Sequence, residues 1–313
     1  MDCLVGLAGL PAACVDACVT DPPYGIGFMG KGWDRQVPPI EIWREVLRVL
    51  KPGAHVLCAC GTRTQHRMAV NIENAGFEIR DVICWHYGQG FPKSLDIGKA
   101  VRKKGSDQNW AGWGTALKPA TEFWTLARKP ISAKSVVDNV LLYGAGGLHI
   151  NIACSEAGRF PANVLLDELM AEELDRQSGE LVSGKPSGTR KAGGKIYGKY
   201  GLGQEVTGYG DAGGASRFFY VAKADAAERG KGNHHPTVKP IALMQYLLRL
   251  VCPMESGRLV LDPFAGSGST CIAARLLGID FIAFEMVPEY VAIADRRLRE
   301  QLGFFNLPQE GKG

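Results

Sequence analysis

The chain has 313 residues, of which 46% are hydrophobic and 22% charged, and its formal net charge is +4. This composition is typical of a globular protein and excludes a disordered or fibrous chain. Since no apolar run approaches the roughly 20 residues that a membrane helix needs, we expect a cytoplasmic protein without membrane contact. The nine cysteines lack Cys-x-x-Cys spacing, so no metal site and no disulfide framework is predicted.

The basic residues are unevenly distributed along the chain. Residues 86–135 contain nine Lys or Arg and three Asp or Glu, and residues 185–199 contain five Lys or Arg and no acid. Local basic stretches of this kind are typical of proteins that bind a polyanion such as DNA. A solvated surface would have the same composition, so charge alone leaves both interpretations open.

The first third of the chain alternates between strand-like and helix-like segments. Residues 13–20 form a short apolar run that ends at two prolines, which predicts a buried strand. Residues 39–50 place their apolar side chains on one helical face. A strand at 55–60, a helix at 65–75 and a strand at 78–87 follow. This alternation predicts a doubly wound α/β domain with a mostly parallel sheet.

The middle of the chain lacks this rhythm. Residues 122–129 predict one more strand, but from 130 to 216 the hydrophobic periodicity is poor. Residues 178–216 are rich in Gly, Ser, Lys and Tyr. Because such a composition cannot build a core, it predicts a mobile basic loop.

The α/β rhythm returns in the last third. Strands are predicted at 217–223, 258–261 and 280–284, which brings the number of predicted strands to seven. Helices are predicted at Ile241–Val251 and at 288–302. A third helix is predicted after the turn that follows the strand at 258–261, and it continues through Leu277. No internal repeat is detectable.

The strongest chemical signal is Asp21-Pro22-Pro23-Tyr24, directly after the first predicted strand. An exocyclic amine of adenine or cytosine is a poor nucleophile because its lone pair is delocalised into the ring. Asp21 and the Pro22 carbonyl can each accept one amine hydrogen and so localise that lone pair. Pro22 and Pro23 fix the backbone, and Tyr24 offers an aromatic face for a flipped base. These four residues alone are also compatible with a plain proline-rich turn.

A second motif lies between a predicted strand and a predicted helix, where a doubly wound sheet binds nucleotides. It consists of Asp262, Pro263, Phe264, Ala265, Gly266, Ser267, Gly268 and Ser269. Its glycines allow the backbone to approach a ligand closely, and the helix N-terminus can receive a carboxylate. Glu285 ends the next predicted strand, where it can bind two ribose hydroxyls.

The order of DPPY, HPTVKP and DPFAGSGST along the chain resembles the beta group of DNA amino-methyltransferases. The resemblance covers residues 1–129 and 217–302. It implies S-adenosyl-L-methionine as cofactor, DNA as partner, and a circularly permuted, Rossmann-like sheet of seven strands. The catalytic half at 1–129 then precedes a target-recognition insert at 130–216 and a cofactor-binding half at 217–313.

The resemblance also implies roles for individual residues. Thr237 and Lys239 are expected near the methionine carboxylate of the cofactor, Glu285 at its ribose and Asp2 at its adenine. The cofactor-binding set so predicted is Asp2, Thr237, Lys239, Asp262, Pro263, Phe264, Ala265, Gly266, Ser267, Gly268 and Glu285. In the basic loop, contacts to DNA phosphates are predicted for Lys185, Arg190, Lys191, Lys195 and Lys199.

The predicted activity is methyl transfer to N6 of an adenine in DNA after base flipping. Methylation of N4 of cytosine is the alternative, although Asp before the two prolines favours adenine in this family and Ser favours cytosine. A non-catalytic DNA-binding module is the alternative from another class, but it would be expected to have lost Asp21, Tyr24 or a loop glycine. The sequence predicts neither the recognition site nor a restriction endonuclease partner, and it leaves a homodimer open.

Overall fold

The computed structural model describes residues 1–27, 32–92, 94–154, 158–184, 210–223, 233, 238–253 and 257–301. Helices and strands alternate along most of these ranges. None of the helices in the described ranges is long and apolar enough to cross a membrane.

Ten strands and ten α-helices are assigned within the described part of the chain. The strands are β1 (Val15–Thr20), β2 (Leu50–Gly61), β3 (Glu78–His86), β4 (Thr121–Arg128), β5 (Val164–Asp167), β6 (Leu181–Val182), β7 (Ala212–Gly213), β8 (Tyr220–Ala222), β9 (Leu259–Asp262) and β10 (Asp280–Ala283). The helices are α1 (Cys3–Ala8), α2 (Ile40–Val49), α3 (Gln65–Asn74), α4 (Ile97–Lys103), α5 (Val136–Tyr143), α6 (Ile150–Ala153), α7 (Glu168–Ser178), α8 (Ile241–Val251), α9 (Ser269–Leu276) and α10 (Pro288–Gln301).

Eight of these strands form one sheet in the order β10-β9-β1-β2-β4-β3-β5-β8. Neighbouring strands are parallel except where β4 pairs with β2 and with β3. Strands β6 and β7 form a separate antiparallel pair. The prediction of a mostly parallel, doubly wound α/β sheet is therefore confirmed.

The sheet has eight strands where the sequence predicted seven. The additional strand is β5, which lies in the region predicted to be irregular and pairs with β3 and β8. It escaped the sequence pattern because α7 follows at once, so no glycine or proline turn marks where the strand ends. Helices α5 and α7 lie in the same region. The division of the chain into a catalytic half, a recognition insert and a cofactor half stays a prediction.

Apolar side chains cover both faces of the sheet, because successive strand residues point to opposite sides. Val19 of β1 belongs to the core formed with α8 and α9, whereas its neighbour Cys18 belongs to the core formed with α2 and α3. Trp43 of α2 and Met244 of α8 are fully buried in these two cores. The result is a sheet between two helical layers, with the carboxyl ends of its parallel strands at one edge.

The pairing of β1 with β9 creates a switch point in this sheet. Ala17 lies opposite Val260 and Cys18 opposite Leu261. From β1 the chain continues through α2 to β2, and from β9 it continues through α9 to β10 on the other side. Because the two connections diverge, a crevice opens outside the carboxyl ends of β1 and β9, which is where doubly wound folds bind their ligands.

Candidate active site

A cavity of about 1490 Å³ occupies this crevice. It extends from the end of β10 across β9, β1 and β2 to the beginning of β4. Because β4 runs against its neighbours, its first residues lie at the same edge as the last residues of β1 and β9. The acidic and basic residues that line the cavity include Asp2, Asp21, Glu122, Lys239, Asp262 and Glu285.

Asp21 follows β1 directly and lies in the middle of the cavity edge. Its Oδ1 accepts a hydrogen bond from the Tyr24 hydroxyl at 2.8 Å, and its Oδ2 accepts one from Lys239 Nζ at 2.7 Å. The Tyr24 ring packs over the end of β2, where a Cβ on Gly61 would lie 3.2 Å from it. Burial raises the pKa of Tyr24, as do the nearby Asp21 and Glu122 carboxylates. The phenol therefore keeps its proton and can hold Asp21 in place.

Lys239, just before α8, joins two acidic residues from different strands. Its Nζ lies 2.7 Å from Asp21 Oδ2, 3.1 Å from Glu122 Oε2 and 3.2 Å from the Tyr24 hydroxyl. These three contacts engage the three donors of an ammonium group. Burial disfavours the charged form, but the Asp21 and Glu122 carboxylates outweigh it and raise the pKa of Lys239. The charged form of Lys239 is therefore favoured.

This arrangement bears on the predicted role of Lys239 as a contact of the methionine carboxylate. Its side chain is 8% exposed, and its three hydrogens point to Asp21, Tyr24 and Glu122. Binding a further carboxylate would require one of these partners to be exchanged. The structure thus adds Lys239 to the group that surrounds Asp21, while its contact with a cofactor stays a prediction.

Glu122 is an acidic residue of the cavity that the sequence did not single out. It is the second residue of β4 and is 7% exposed. Burial raises its pKa, against the opposing effect of Lys239. A signal was present in the sequence, because an acid preceding the apolar run Phe-Trp-Thr-Leu-Ala lies at the end of a buried strand. Charged residues are rarely buried without a partner or a function.

The glycine-rich turn lies on the other side of Asp21. Buried Asp262 ends β9 and accepts hydrogen bonds from the Thr20 hydroxyl at 2.7 Å and from the Phe264 backbone at 3.1 Å. Burial raises the pKa of Asp262 to about 6. Gly266 has φ +52, a left-handed conformation that favours glycine. Its N–H donates to Glu285 Oε2 at 2.9 Å. The turn is thereby attached to the end of β10.

Two further contacts fix this turn in place. Arg297 of α10 is buried and donates to the backbone oxygen and hydroxyl of Ser267 at 2.6 and 3.0 Å, and to the hydroxyl of Ser269 at 3.2 Å. Gly268 precedes α9 and has φ +81. A Cβ there would lie 2.9 Å from that of Ala294, so Gly268 allows α9 and α10 to pack closely.

The predicted site residues separate into three groups. The cavity is lined by Asp2, Asp21, Pro22, Pro23, Tyr24, Lys239, Asp262, Pro263, Phe264, Ala265, Gly266, Ser267 and Glu285. Gly268 is not among the lining residues and allows the helix packing just described, while its contact with a cofactor stays a prediction. Outside the described residues lie Thr237, Lys185, Arg190, Lys191, Lys195 and Lys199.

Asp2 has an additional structural role. It precedes α1, and its carboxylate accepts hydrogen bonds from the backbone of Leu4 at 2.9 Å and of Val5 at 3.4 Å. It thereby caps the helix. Because Asp2 also lines the cavity, a cap and a ligand contact are compatible at this position.

Aromatic residues lie at the outer end of the cavity. Tyr87 and Phe91 both line it, and Phe91 is 79% exposed. Trp124 is fully buried in the core. Trp110 and Trp113 are partly exposed and contact each other edge to face. Both follow α4 on an irregular segment outside the sheet.

The family of N6/N4 DNA methylases matches this chain over residues 15–296. The chain belongs to this family. It is thus a DNA methyltransferase, and the beta-group resemblance seen in the sequence is confirmed. Among the described residues of this methyltransferase, no group of three or more His, Cys, Asp or Glu side chains is placed to hold a metal ion.

Individual relatives agree with this assignment. The type II methyltransferase M.HindIII of Haemophilus influenzae is 27% identical over 265 residues, which cover 83% of this chain and 68% of that protein. The DNA adenine methyltransferase YhdJ of Escherichia coli is 42% identical over 65 residues, 21% of either chain. The cytosine-N4-specific PvuII DNA methyltransferase has the same fold, with a TM-score of 0.55, 17% identity and coverage of 95% of this chain and 84% of its own.

The cofactor of this methyltransferase is S-adenosyl-L-methionine, and the cavity residues fit it. Glu285 lines the cavity beside Gly266, a residue without a side chain, a combination suited to a ribose diol. Apolar Phe264 and Met286 line the same end and suit a purine. The bound cofactor supplies an electrophilic methyl group on a sulfonium sulfur.

Proposed function

We propose that this methyltransferase methylates N6 of adenine in DNA, with Asp21, Pro22, Pro23 and Tyr24 as the catalytic residues. The observation that carries the proposal is the position of Asp21, one strand away from the cofactor turn and within the same cavity. The similarity to the adenine methyltransferase YhdJ supports adenine as the target. So does the Asp of the DPPY motif, through the family resemblance described above.

The proposed chemistry uses groups that the fold holds rigid. Asp21 accepts one hydrogen of the exocyclic amine, and the Pro22 carbonyl accepts the other, so that the nitrogen lone pair is directed at the methyl carbon. Asp21 keeps its orientation during this step because Tyr24 and Lys239 each donate to one of its oxygens. Preorganised acceptors at a centre of developing positive charge are an effective source of rate enhancement. The Tyr24 ring supports the face of the flipped base.

Methylation of N4 of cytosine is the second candidate, because the amine of cytosine presents the same pair of hydrogens to Asp21 and Pro22. The likeness to the PvuII methyltransferase supports the shared fold and does not favour one base. A non-catalytic DNA-binding module is disfavoured, since Asp21 and Tyr24 are hydrogen-bonded to each other and line the cavity.

Long-read sequencing of DNA from cells that express the chain distinguishes these candidates. We expect N6-methyladenine in a defined sequence context, and none in cells that express Asp21→Ala at the same level. Detection of N4-methylcytosine in its place would overturn the adenine assignment. An unmodified genome, with folded protein that binds S-adenosylmethionine, would contradict the proposed activity altogether.

We also propose that the basic loop contacts DNA phosphates through Lys185, Arg190, Lys191, Lys195 and Lys199. Replacing all five by Gln is expected to weaken binding to every DNA sequence about equally, because phosphates carry no sequence information. The plot of log affinity against log salt should flatten by roughly 0.9 for each phosphate that the variant no longer neutralises. Gln at Arg176 and Arg299, which pair with acids on their own helices, serves as the control. A changed methylation context would mean that the loop reads bases.

A further inference from the structure

Glu122 carries a buried oxygen without a hydrogen-bond partner. Its Oε2 lies 3.1 Å from Lys239 Nζ, whereas its Oε1 has no partner among the described residues. A buried polar atom left unpaired costs roughly 1–3 kcal/mol. Such an atom at the wall of an active-site cavity indicates that a ligand supplies the missing partner.

The charges around Glu122 indicate which partner is missing. Asp21, Glu122 and Lys239 form a buried cluster of two acids and one ammonium. With both acids ionised the cluster would hold an uncompensated negative charge, which is costly away from water. Both oxygens of Asp21 already accept hydrogens, so the extra proton belongs on Glu122 Oε1. Burial raises the pKa of Glu122 and acts in the same direction.

Groups from four elements around the cavity face this carboxyl. They are Asp21 and Tyr24 after β1, Cys60 in β2, Tyr87 after β3 and Lys239 before α8. Burial and the Asp21 charge raise the pKa of Glu122, whereas the Lys239 charge and hydrogen bonds from Tyr24 and Lys239 lower it, and the net effect is a raised pKa. A protonated Glu122 is a donor that still lacks an acceptor.

The position of Glu122 points to the target base rather than the cofactor. In the sheet order β9-β1-β2-β4, the glycine-rich turn follows β9 and Asp21 follows β1, while Glu122 begins β4. Asp21 thus lies between the cofactor turn and Glu122. With strands about 4.8 Å apart, Glu122 is roughly 14 Å from the end of β9. A base whose amine meets Asp21 from the side opposite the cofactor would present its edge to Glu122.

We propose that protonated Glu122 donates a hydrogen bond from Oε1 to the ring nitrogen next to the target amine, N1 of adenine or N3 of cytosine. The proposal rests on amine methylation as the function and deepens it. Adenine and cytosine share an amine beside an unprotonated ring nitrogen, whereas guanine and thymine carry an N–H on the corresponding ring nitrogen. A donor at Glu122 therefore accepts the first two bases and rejects the others.

The first test compares two substitutions of Glu122. E122Q keeps an oxygen for Lys239 and an N–H for the ring nitrogen, whereas E122L keeps neither. In single-turnover assays on the duplex that sequencing identifies, we expect E122L to lose roughly tenfold or more in rate and E122Q to lie between E122L and the wild type. As the pH rises the wild-type rate should fall with loss of the Glu122 proton, and the E122Q rate should not. E78Q, the same change at the opposite end of the sheet, is the control.

The second test removes the ring nitrogen from the DNA. With 1-deazaadenine at the target position, or 3-deazacytosine if the base is cytosine, the wild type should lose roughly tenfold in rate, while E122L should lose less than twofold further. Calorimetry with S-adenosylmethionine checks that each variant is folded and binds its cofactor. Should E122L fail to fold, the wild-type loss on the deaza substrate and the pH profile of E122Q decide the matter.

Two results would overturn the proposal. One is an E122Q rate as low as that of E122L at every pH, because Glu122 would then act as an anion beside Lys239. The other is a rate loss for E122L on the deaza substrate that equals the product of the losses caused by each change alone, because the two groups would then act independently. In both cases the wild type still methylates the normal duplex. A wild type that methylates no amine would instead contradict the proposed function.

Discussion

The two ends of the cavity satisfy their acidic residues by different means. At the end beside the glycine-rich turn, three of the hydrogen bonds that Asp262 and Glu285 accept come from the backbone N–H groups of Phe264, Gly266 and Val287. Asp262 also accepts one from the Thr20 hydroxyl. At the proposed catalytic end, Asp21 is held by the side chains of Tyr24 and Lys239. The first end thus relies mainly on backbone donors, while the second relies on side-chain donors.

This difference predicts which kind of substitution disturbs each end of the cavity. A backbone-lined turn depends on the conformations that its residues can adopt, so it is sensitive to glycine replacement. A side-chain network depends on charge and on donors, so it is sensitive to loss of a carboxylate. We therefore expect variants at the two ends to separate cofactor binding from the rate of methyl transfer.

The largest effect is expected for Gly266→Val, which should abolish measurable S-adenosylmethionine binding. A branched residue disfavours φ +52, and its side chain would occupy the space where the backbone meets the ligand. Isothermal titration calorimetry checks this. Gly278→Val is the matched control, because Gly278 has φ +69 with open space around its Cβ position. Wild-type affinity in the Gly266 variant would show that the turn does not contact the cofactor.

Asp21→Ala is expected to lower the single-turnover rate about 10²–10³-fold while cofactor affinity is largely kept. The substitution removes an acceptor at the reacting centre and leaves the glycine-rich turn untouched. Asp295→Ala, at an exposed position on α10, controls for the loss of an aspartate. A near wild-type rate on unmodified DNA would refute the catalytic assignment. An equal loss of rate and cofactor affinity would mean that the two ends are not separable.

The smallest effect is expected for Glu285→Gln, which should weaken cofactor binding by roughly 1–3 kcal/mol. The amide offers neutral hydrogen bonds in place of charge-assisted ones, and its NH₂ group faces a backbone N–H of the turn. The methyl-transfer rate at saturating cofactor should stay close to that of the wild type. Glu289→Gln, an exposed neighbour in the first turn of α10, is the control. Unchanged affinity in the Glu285 variant would remove this residue from the ribose site.

The glycine-rich turn and its flanking elements could be predicted from the sequence because their geometry is local. A strand, a turn with glycines and a helix follow each other between Leu259 and Leu276, and Glu285 ends the next strand. DPPY could be predicted for the same reason, since two prolines stop β1 just before the site. In each case the residue types and the short-range backbone requirement coincide.

The approach of Glu122 and Lys239 to Asp21 could not be predicted, because it depends on the order and direction of the strands. Only an antiparallel β4 beside β2 brings Glu122 to the edge where Asp21 lies, and a sequence pattern does not reveal the direction of a strand. Strand β5 was missed because α7 follows it without a turn signal, so its strand character is visible only in its pairing with β3 and β8. In both cases the information lies in pairing between distant segments.

The pairing of β1 with β9 has a consequence for biosynthesis. The Thr20 hydroxyl donates a hydrogen bond to Asp262 Oδ1 at 2.7 Å, although the two residues are 242 positions apart in the chain. At ribosomal rates of about 5–20 residues per second, roughly 12–48 s separate their synthesis. Until β9 emerges, one edge of β1 is an open row of hydrogen-bonding groups next to unfilled apolar surface, a state prone to misassociation. The nascent chain therefore carries its aggregation hazard in its N-terminal half, and chaperones that bind exposed strand edges would act there during translation.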